Sequence, residues 1–333
     1  MDIVVNVVIN ISDFSIQKSN SKYLINSLLT AIFDKIHYMK FGSVDHPEEI
    51  DFTLPPDHPD TLKALQKNPS DKTQIFVGCA KWNKADLKGF YPRGTKDELE
   101  YYSRQFNSIE LNATFYRIFP PEQFEKWYEK TPDDFRFFPK LNQEISHWKR
   151  LNEDIAHVVD NYLYSAVNLK EKLGCVFLQM HNNFAPKDFD RVINFAESWP
   201  KEVPLAVEFR HTDWYNDKAI AEDLYQLLEE NNISNIIVDS AGRRDIMHMR
   251  LTNSRAFVRY VGANHPSDYT RLDDWVERLK HWKDNGIEEI DFFVHQNIEK
   301  ESPLLSAYLI KKLNAELGTD LKIPNEDQQQ KLL

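Results

Sequence analysis

The segment Leu205-Ala206-Val207-Glu208-Phe209-Arg210-His211 joins a short apolar run to a group of charged and aromatic residues. Short runs rich in β-branched and aromatic residues are typical of buried strands. Seven other segments have the same form, and stretches with helical periodicity separate them. The eight predicted strands span residues 75–79, 108–112, 135–140, 175–180, 205–209, 235–239, 256–260 and 289–294.

Helices are predicted between these strands, which indicates βα units and a parallel sheet. Eight strands within roughly 250 residues favour a (β/α)8 TIM barrel. A doubly wound sheet is the competing interpretation, but no G-x-G-x-x-G loop follows the first strand, and the chain has only 9 glycines. The predicted fold class is therefore α/β, a TIM barrel with an irregular N-terminal extension. The predicted helices span residues 97–106, 121–129, 153–173, 187–199, 217–230, 272–284 and 303–317.

The chain divides into three predicted regions. Residues 1–73 form an N-terminal extension that is partly irregular, since prolines interrupt residues 45–69. Met39 would suit a translation start, so one interpretation is that residues 1–38 are an upstream segment without function. Residues 74–320 form the predicted barrel, and residues 321–333 form a polar C-terminal tail.

Composition narrows the class of protein. The 333 residues carry 41 Lys and Arg against 52 Asp and Glu, a net charge of −11. Repulsion from phosphates then disfavours a nucleic-acid-binding protein, although a local basic pocket stays compatible. The 2 cysteines exclude a disulfide framework and fit a reducing compartment. No apolar run of about 18 residues is present, and Asp2 stands where a secretory signal has basic residues. We expect a cytoplasmic protein without a membrane partner.

A TIM barrel carries its function at the carboxyl ends of its strands, and polar side chains lie at nearly every predicted strand end here. Because alternate residues of a strand share a face, Glu110 and Asn112 can face the mouth together, as can Glu208 and Arg210. Glu208 is the predicted general acid or base. The predicted catalytic residues are Glu208, Glu110, Asp239 and Lys140, and the predicted substrate-binding residues are Asn112, Tyr116, Arg210, His211, Trp214, Arg259, Asn297 and Trp82.

Several of these strand ends also carry family motifs. Ile109-Glu110-Leu111-Asn112-Ala113-Thr114-Phe115-Tyr116 and Val207-Glu208-Phe209-Arg210-His211 resemble the signatures of the DUF72 family, also called YecE-like. The resemblance extends over residues 74–312 and implies a TIM barrel with a site at its mouth, without a particular reaction. The chain departs from the family pattern at Lys81, where a glycine is usual, and at His295-Gln296, where asparagines are usual.

Three kinds of function fit these residues. The preferred one is metal-free acid–base chemistry on a small polar or anionic substrate, with Arg210 and Lys140 binding the anion. Glycoside hydrolysis between Glu110 and Glu208, or a Schiff base on Lys140, would be special cases. The first alternative is a metal-dependent phosphoesterase or nuclease with ligands among His181, Glu208, His211, Asp239 and His295.

The second alternative is a barrel without catalysis that binds an anion or a nucleic-acid end. Its phosphate contacts would come from a basic run after the sixth strand, which otherwise forms a solvated loop. Cys79 is a possible nucleophile, but a small buried residue is the preferred interpretation. No cofactor or metal is expected for the preferred function, and the oligomeric state stays open. The basic run comprises Arg243, Arg244, His248, Arg250 and Arg255.

Overall fold

The computed structural model describes residues 42–67, 69–70 and 72–326, so the predictions for residues 1–38 and for most of the C-terminal tail lie outside the described residues. All eight predicted strands are present in the described chain. The sixth is divided by Ile236 into two short strands, which gives nine. The strands are β1 (Gln74–Cys79), β2 (Ser108–Leu111), β3 (Arg136–Pro139), β4 (Val176–Gln179), β5 (Leu205–Glu208), β6 (Ser234–Asn235), β7 (Ile237–Ser240), β8 (Arg255–Gly262) and β9 (Glu289–Gln296).

Helices follow most strands, and local sequence explains where several begin. The Asp97 carboxylate accepts a hydrogen bond from the backbone N–H of Glu100, and Asp217 caps a later helix through the N–H of Ala219. Pro121 occupies the first position of another helix, where its missing N–H costs nothing. The helices are α1 (Thr61–Gln66), α2 (Glu98–Tyr102), α3 (Ala113–Tyr116), α4 (Pro121–Lys130), α5 (Ala156–Ala166), α6 (Phe189–Ser198), α7 (Asp213–Asn216), α8 (Lys218–Glu230), α9 (Ser267–Asp284) and α10 (Ser302–Leu317).

The strands pair in parallel, which confirms the predicted α/β class. Their ladders form three sheets, with the orders β1-β9-β8-β7, β2-β3 and β4-β5-β6. Two isolated parallel bridges connect the regions of β3 and β4. Phe137 of β3 pairs with Leu173, which precedes β4, and Lys140, which follows β3, pairs with Phe177 of β4. The ladders therefore do not form one continuous closed sheet.

Side chains from all three sheets meet in one core. The Phe138 ring of β3 lies 4.9 Å from that of Phe293 in β9 and 6.0 Å from that of Phe257 in β8. Phe177 of β4 lies 5.5 Å from Phe257. Since these rings are fully buried, they form an apolar layer beneath the carboxyl ends of the strands.

In the part of the chain that the structure describes, no helix is both long enough and apolar enough to span a bilayer.

Candidate active site at the carboxyl ends of the strands

Arg259 joins two buried carboxylates from different sheets. Its Nε and Nη2 donate to the two oxygens of Glu110, at 3.0 and 2.9 Å, and its Nη1 donates to Glu208 Oε2 at 2.5 Å. Both glutamates are 0% exposed. Because Glu110, Glu208 and Arg259 come from β2, β5 and β8, this one guanidinium brings all three sheets together.

A polar chain leads from Glu208 to Lys140. Glu208 Oε1 accepts hydrogen bonds from Arg210 Nε at 2.5 Å and from Gln179 Nε2 at 2.9 Å. The amide oxygen of Gln179 then accepts from Lys140 Nζ at 2.7 Å. The Gln179 amide at the end of β4 therefore connects the Glu208 carboxylate of β5 to the Lys140 amine, which follows β3.

Glu110 has two further partners. His295 Nε2 lies 2.9 Å from Glu110 Oε2, and Asn112 Nδ2 donates to Glu110 Oε1 at 2.8 Å. His295 is one of the positions where the chain departs from the family pattern. The structure thus places Glu110, Glu208, Lys140, Arg210, Arg259 and Asn112 in one connected group of side chains.

Electrostatics hold both carboxyl groups in their ionised form. Burial by itself would raise the pKa of Glu208, but the charges of Arg210 and Arg259 outweigh it and lower this pKa to about 2. In the same way, Arg259 and His295 overcome burial and hold the pKa of Glu110 well below its usual range. A carboxylate with so low a pKa is a poor acid or base near neutral pH.

At Lys140, by contrast, the surroundings disfavour the charged form of the side chain. Burial, followed by the charges of Arg259 and Arg210, holds the pKa of its amine well below the usual range. Its backbone oxygen accepts hydrogen bonds from Thr114 at 2.8 Å and from Tyr162 at 3.0 Å, which fixes the start of the side chain. Lys140 is therefore a positioned amine whose uncharged form is favoured.

The segment after β3 lies beside this lysine. It forms a π-helix over Glu144–Trp148 and places the His147 ring 4.8 Å from the ring of Phe115, whose face lies 4.2 Å from Lys140 Nζ. Burial is the largest of the causes that lower the pKa of His147 to about 3. His147 is consequently an uncharged imidazole at the edge of the site.

Asp239 lies in a different cluster. Its carboxylate pairs with Arg244 and Arg271 and accepts a hydrogen bond from Trp275 Nε1 at 2.8 Å. In the parallel register Asp239 lies beside Tyr260 rather than Arg259, so its side chain projects toward α9 on the outer face of the sheet. The expectation that Asp239 faces the mouth with Glu208 is therefore not met.

The predicted substrate-binding aromatics divide between the core and the surface. Trp214 is fully buried and donates from Nε1 to the Phe184 oxygen at 2.7 Å, so it serves packing. Trp82 packs edge-to-face on Trp127 at 5.9 Å. By contrast, 57% of Tyr116 is exposed.

Two other predicted binding residues lie nearer the solvent. His211 is half-buried, with its Nδ1 3.6 Å from an Asp213 carboxylate oxygen. Asn297 is exposed just after β9. No hydrogen bond between either side chain and Arg259, Glu110 or Glu208 is among the contacts of the described residues.

The basic run after β7 is neutralised within the protein. Arg250 is buried and pairs with Glu229, and Arg255 pairs with Glu289 and Asp291. These contacts commit both guanidinium groups to internal carboxylates. Arg250 and Arg255 therefore form internal ion pairs and do not belong to a solvated loop.

The thiols are buried. Burial raises the pKa of Cys79 to about 12, so its thiol is protonated at neutral pH, which supports the interpretation of a small core residue.

The residues proposed as alternative metal ligands do not converge. Across the described ranges, the one group of three His, Cys, Asp or Glu side chains with ligand atoms within 4.8 Å of one another is His58, Asp60 and Glu222. None of these three is at a strand end, and Asp60 already pairs with Lys63. At the site itself, the His295 and Glu110 pair lacks a third such ligand among the described residues.

Sequence reasoning did not assign site roles to Gln179 or His147. Gln179 ends β4 two residues after the core residue Phe177, as Glu208 ends β5, so strand phase could have found it. His147 lies in the short π-helix after β3, whose sequence has no comparable periodic signal.

Comparison with known proteins identifies the family. The family model described as "Protein of unknown function DUF72" matches residues 76–330, and the chain belongs to this family. It is 26% identical over 277 residues to the UPF0759 protein YecE of Escherichia coli K12, an alignment that covers 76% of this chain and 98% of YecE. It is also 26% identical over 203 residues to the UPF0759 protein YunF of Bacillus subtilis, which covers 57% of this chain and 71% of YunF.

Solved structures of the family have the same fold. A DUF72 family protein from Enterococcus faecalis superposes with a TM-score of 0.61 at 20% identity, covering 73% of this chain and 99% of that one. A DUF72 family protein from Thermotoga maritima gives a TM-score of 0.58 at 24% identity, covering 72% and 99%.

Proposed function

We propose that this protein is an enzyme that acts on a small polar or anionic substrate, by acid–base chemistry without a metal, at the carboxyl ends of its strands. The observation that carries the proposal is the buried Lys140 amine next to Arg210 and Arg259. A lysine with a lowered pKa gives up its proton more readily than an ordinary lysine, and the positive charge of the partly exposed Arg210 beside it attracts an anion. The acid–base role thus belongs to Lys140 rather than to Glu208.

A closed (β/α)8 barrel is the architecture that goes with this proposal. Asn107 supports it, because its side chain accepts from the N–H of Val77 and donates to the oxygen of Ile75, which links the start of β2 to β1. The bridges between β3 and β4 support it at a second sheet boundary. Two free, buried thiols support the cytoplasm as its compartment.

The first part of the test is ligand binding measured by thermal shift. Inorganic phosphate, citrate, pyruvate and glucose 6-phosphate are compared with sodium chloride at equal ionic strength. A ligand at about 100 times its Kd adds about 2.7 kcal/mol to the free energy of unfolding. We expect at least one anion to stabilise the wild type and to lose this effect in Arg210→Gln. Arg104→Gln is the matched control, because Arg104 pairs with Glu100 on the surface.

The second part measures turnover of the stabilising compound by mass spectrometry. We expect the wild type and Arg104→Gln to consume it and Lys140→Met to leave it unchanged, because that variant lacks the titrating amine. Binding without turnover in the wild type would favour the non-catalytic barrel. Turnover that survives in Lys140→Met would refute the role given to this lysine.

A further inference from the structure

Two buried lysines of this chain differ in how their N–H donors are satisfied. Lys172 is 2% exposed, and its Nζ donates to the backbone oxygens of Tyr128 at 2.8 Å and Thr131 at 2.6 Å, with Asp133 at 3.9 Å. Lys140 is 6% exposed, and its Nζ donates to Gln179 Oε1. In the described structure, no carboxylate oxygen lies within 4.0 Å of this nitrogen. Among the contacts of the described residues, Lys172 Nζ thus has two hydrogen-bond acceptors, whereas Lys140 Nζ has one.

The neighbouring charges strengthen this difference. Glu110 and Glu208 are close enough to affect Lys140, but their oxygens are occupied by Arg259, Arg210 and other donors. An ammonium ion needs three acceptors, and an uncharged amine exposes a lone pair that can attack an electrophile. Burial and the two adjacent guanidinium groups both favour the uncharged amine.

We propose that Lys140 forms a Schiff base with a small aldehyde or ketone that carries a carboxylate or phosphate group. This inference rests on the proposed function, since the anionic group of the substrate would lie beside Arg210 at the same site. Arg210 is the more accessible of the two arginines, with 13% of its side chain exposed against 7% for Arg259. Arg210 is therefore the one of the two arginines that a substrate could contact more readily.

The step needs no oxidant or reductant. The Nζ lone pair bonds to the carbonyl carbon, and one N–H proton moves to the oxygen to give a carbinolamine. The C–O bond then breaks, and the hydroxyl leaves as water with the second N–H proton. The electron pair that remains on the nitrogen forms the C=N bond. A further proton from solvent converts the imine into an iminium ion.

The anionic group of the substrate offsets the positive charge of the iminium ion, which burial and the two guanidinium groups would otherwise disfavour. The Phe115 ring face, 4.2 Å from Nζ, attracts a positive charge, and Gln179 Oε1 stays available as an acceptor. His147, an uncharged imidazole beside Phe115, adds no competing positive charge next to this nitrogen.

The test is reductive trapping with borohydride. The full-length protein is incubated with pyruvate or glyoxylate, or with acetaldehyde as the uncharged probe, then reduced, digested with trypsin and analysed by mass spectrometry. A modified Lys140 resists trypsin, so the adduct appears in a peptide spanning residues 137–149. We expect labelling by an anionic probe to be at least about tenfold faster at Lys140 than at Lys172. Burial lowers the pKa of both amines, but Arg259 and Arg210 lower that of Lys140 further, whereas Asp133 opposes the lowering at Lys172.

Two variants make the result specific. Lys140→Arg keeps a cation and should lose the 137–149 adduct, and Lys172→Arg should keep it, with folding of both checked by circular dichroism. Arg210→Gln should slow labelling by pyruvate more than labelling by acetaldehyde. Labelling that is equal at Lys140 and Lys172, or absent from Lys140, would overturn the proposal. If an anion still stabilises the protein in that case, the proposed function survives without the Schiff base.

Discussion

Arg259 neutralises two carboxylates that burial would otherwise force to bind protons. Removal of one partner from a buried ion pair leaves an uncompensated charge in a medium that solvates it poorly. Lys140 is different, because its own charge is disfavoured where it lies. Two basic residues of one site therefore have opposite consequences for stability.

The first prediction compares Arg259→Met with Lys140→Met. We expect Arg259→Met to lower the free energy of unfolding by about 3–5 kcal/mol, since Glu110 and Glu208 lose their shared partner. Lys140→Met should raise the free energy of unfolding by about 1 kcal/mol, because it removes a charge that burial disfavours. Residues kept for function often lower stability in this way. Urea unfolding at neutral pH measures both. A loss in Lys140→Met as large as in Arg259→Met would contradict the assignment.

A second prediction concerns pH. The pKa of Glu208 falls from its ordinary value of 4.5 to about 2 on folding, so the unfolded chain binds a proton more readily than the native one. The resulting stabilisation is complete above pH 4.5 and is lost as pH falls toward about 2. Urea unfolding at a series of pH values should show stability falling across this range. Glu208→Gln should flatten that part of the curve, and an unchanged slope would show that Glu208 is not held ionised by folding.

At the scale of elements, a close backbone approach brings β1 against β2. A Cβ built on Gly78 would lie 2.3 Å from the backbone oxygen of Ser108, which is closer than atoms can pack. Glycine within a strand commonly marks such an approach. This contact positions the strand that carries Glu110 without a hydrogen-bonded ladder between β1 and β2.

The third prediction follows from that contact. Gly78→Ala should lower stability by about 1–3 kcal/mol, because β1 and β2 must separate to admit the methyl group. Gly94→Ala is the control, since a Cβ there meets no atom within 4 Å although its φ is +91°. Because a side chain disfavours this backbone conformation, Gly94→Ala should lower the free energy of unfolding by about 1–2 kcal/mol. Thermal unfolding measures both variants, and only Gly78→Ala should also weaken anion binding at the site.

At the scale of the whole molecule, the segment before β1 holds α9 in place. Asp57 accepts hydrogen bonds from Arg278 Nη1 at 2.6 Å and Trp282 Nε1 at 3.1 Å. The same helix supplies Arg271 and Trp275 to Asp239. These polar contacts fix the helix on the outer face of β7, away from the Arg259 cluster.

The fourth prediction separates this outer network from the site. Asp57→Ala should reduce the free energy of unfolding by about 1.5–3 kcal/mol, the usual worth of hydrogen bonds to a charged group. The anion-induced thermal shift should stay at its wild-type size. Asp284→Ala, an exposed change at the end of α9, should alter stability by less than about 0.5 kcal/mol. Loss of the anion effect in Asp57→Ala would show that the two regions are coupled.

Local sequence predicts most of the strands and the kind of sheet that they form. Apolar runs such as residues 205–209 predict strands because side-chain burial has a period of two, and the motifs around Glu110 and Glu208 indicate the family. The alternation of strands and helices predicts parallel pairing, since a crossover must return the chain to the same end of the sheet. These are properties of neighbouring residues, and the sequence alone determined them.

Tertiary structure decided how the charged residues are used. Glu208 ends β5 and Asp239 is the penultimate residue of β7, and the register of β7 turns Asp239 outward to α9. Arg259 meets Glu110 across 149 positions of sequence, and Lys140 meets Gln179 across 39. The distances between such residues, and the burial that lowers the pKa of Lys140, depend on how whole sheets pack. The sequence alone therefore determined which residues reach the strand ends, and only packing decided which of them share a site and which of their charges it favours.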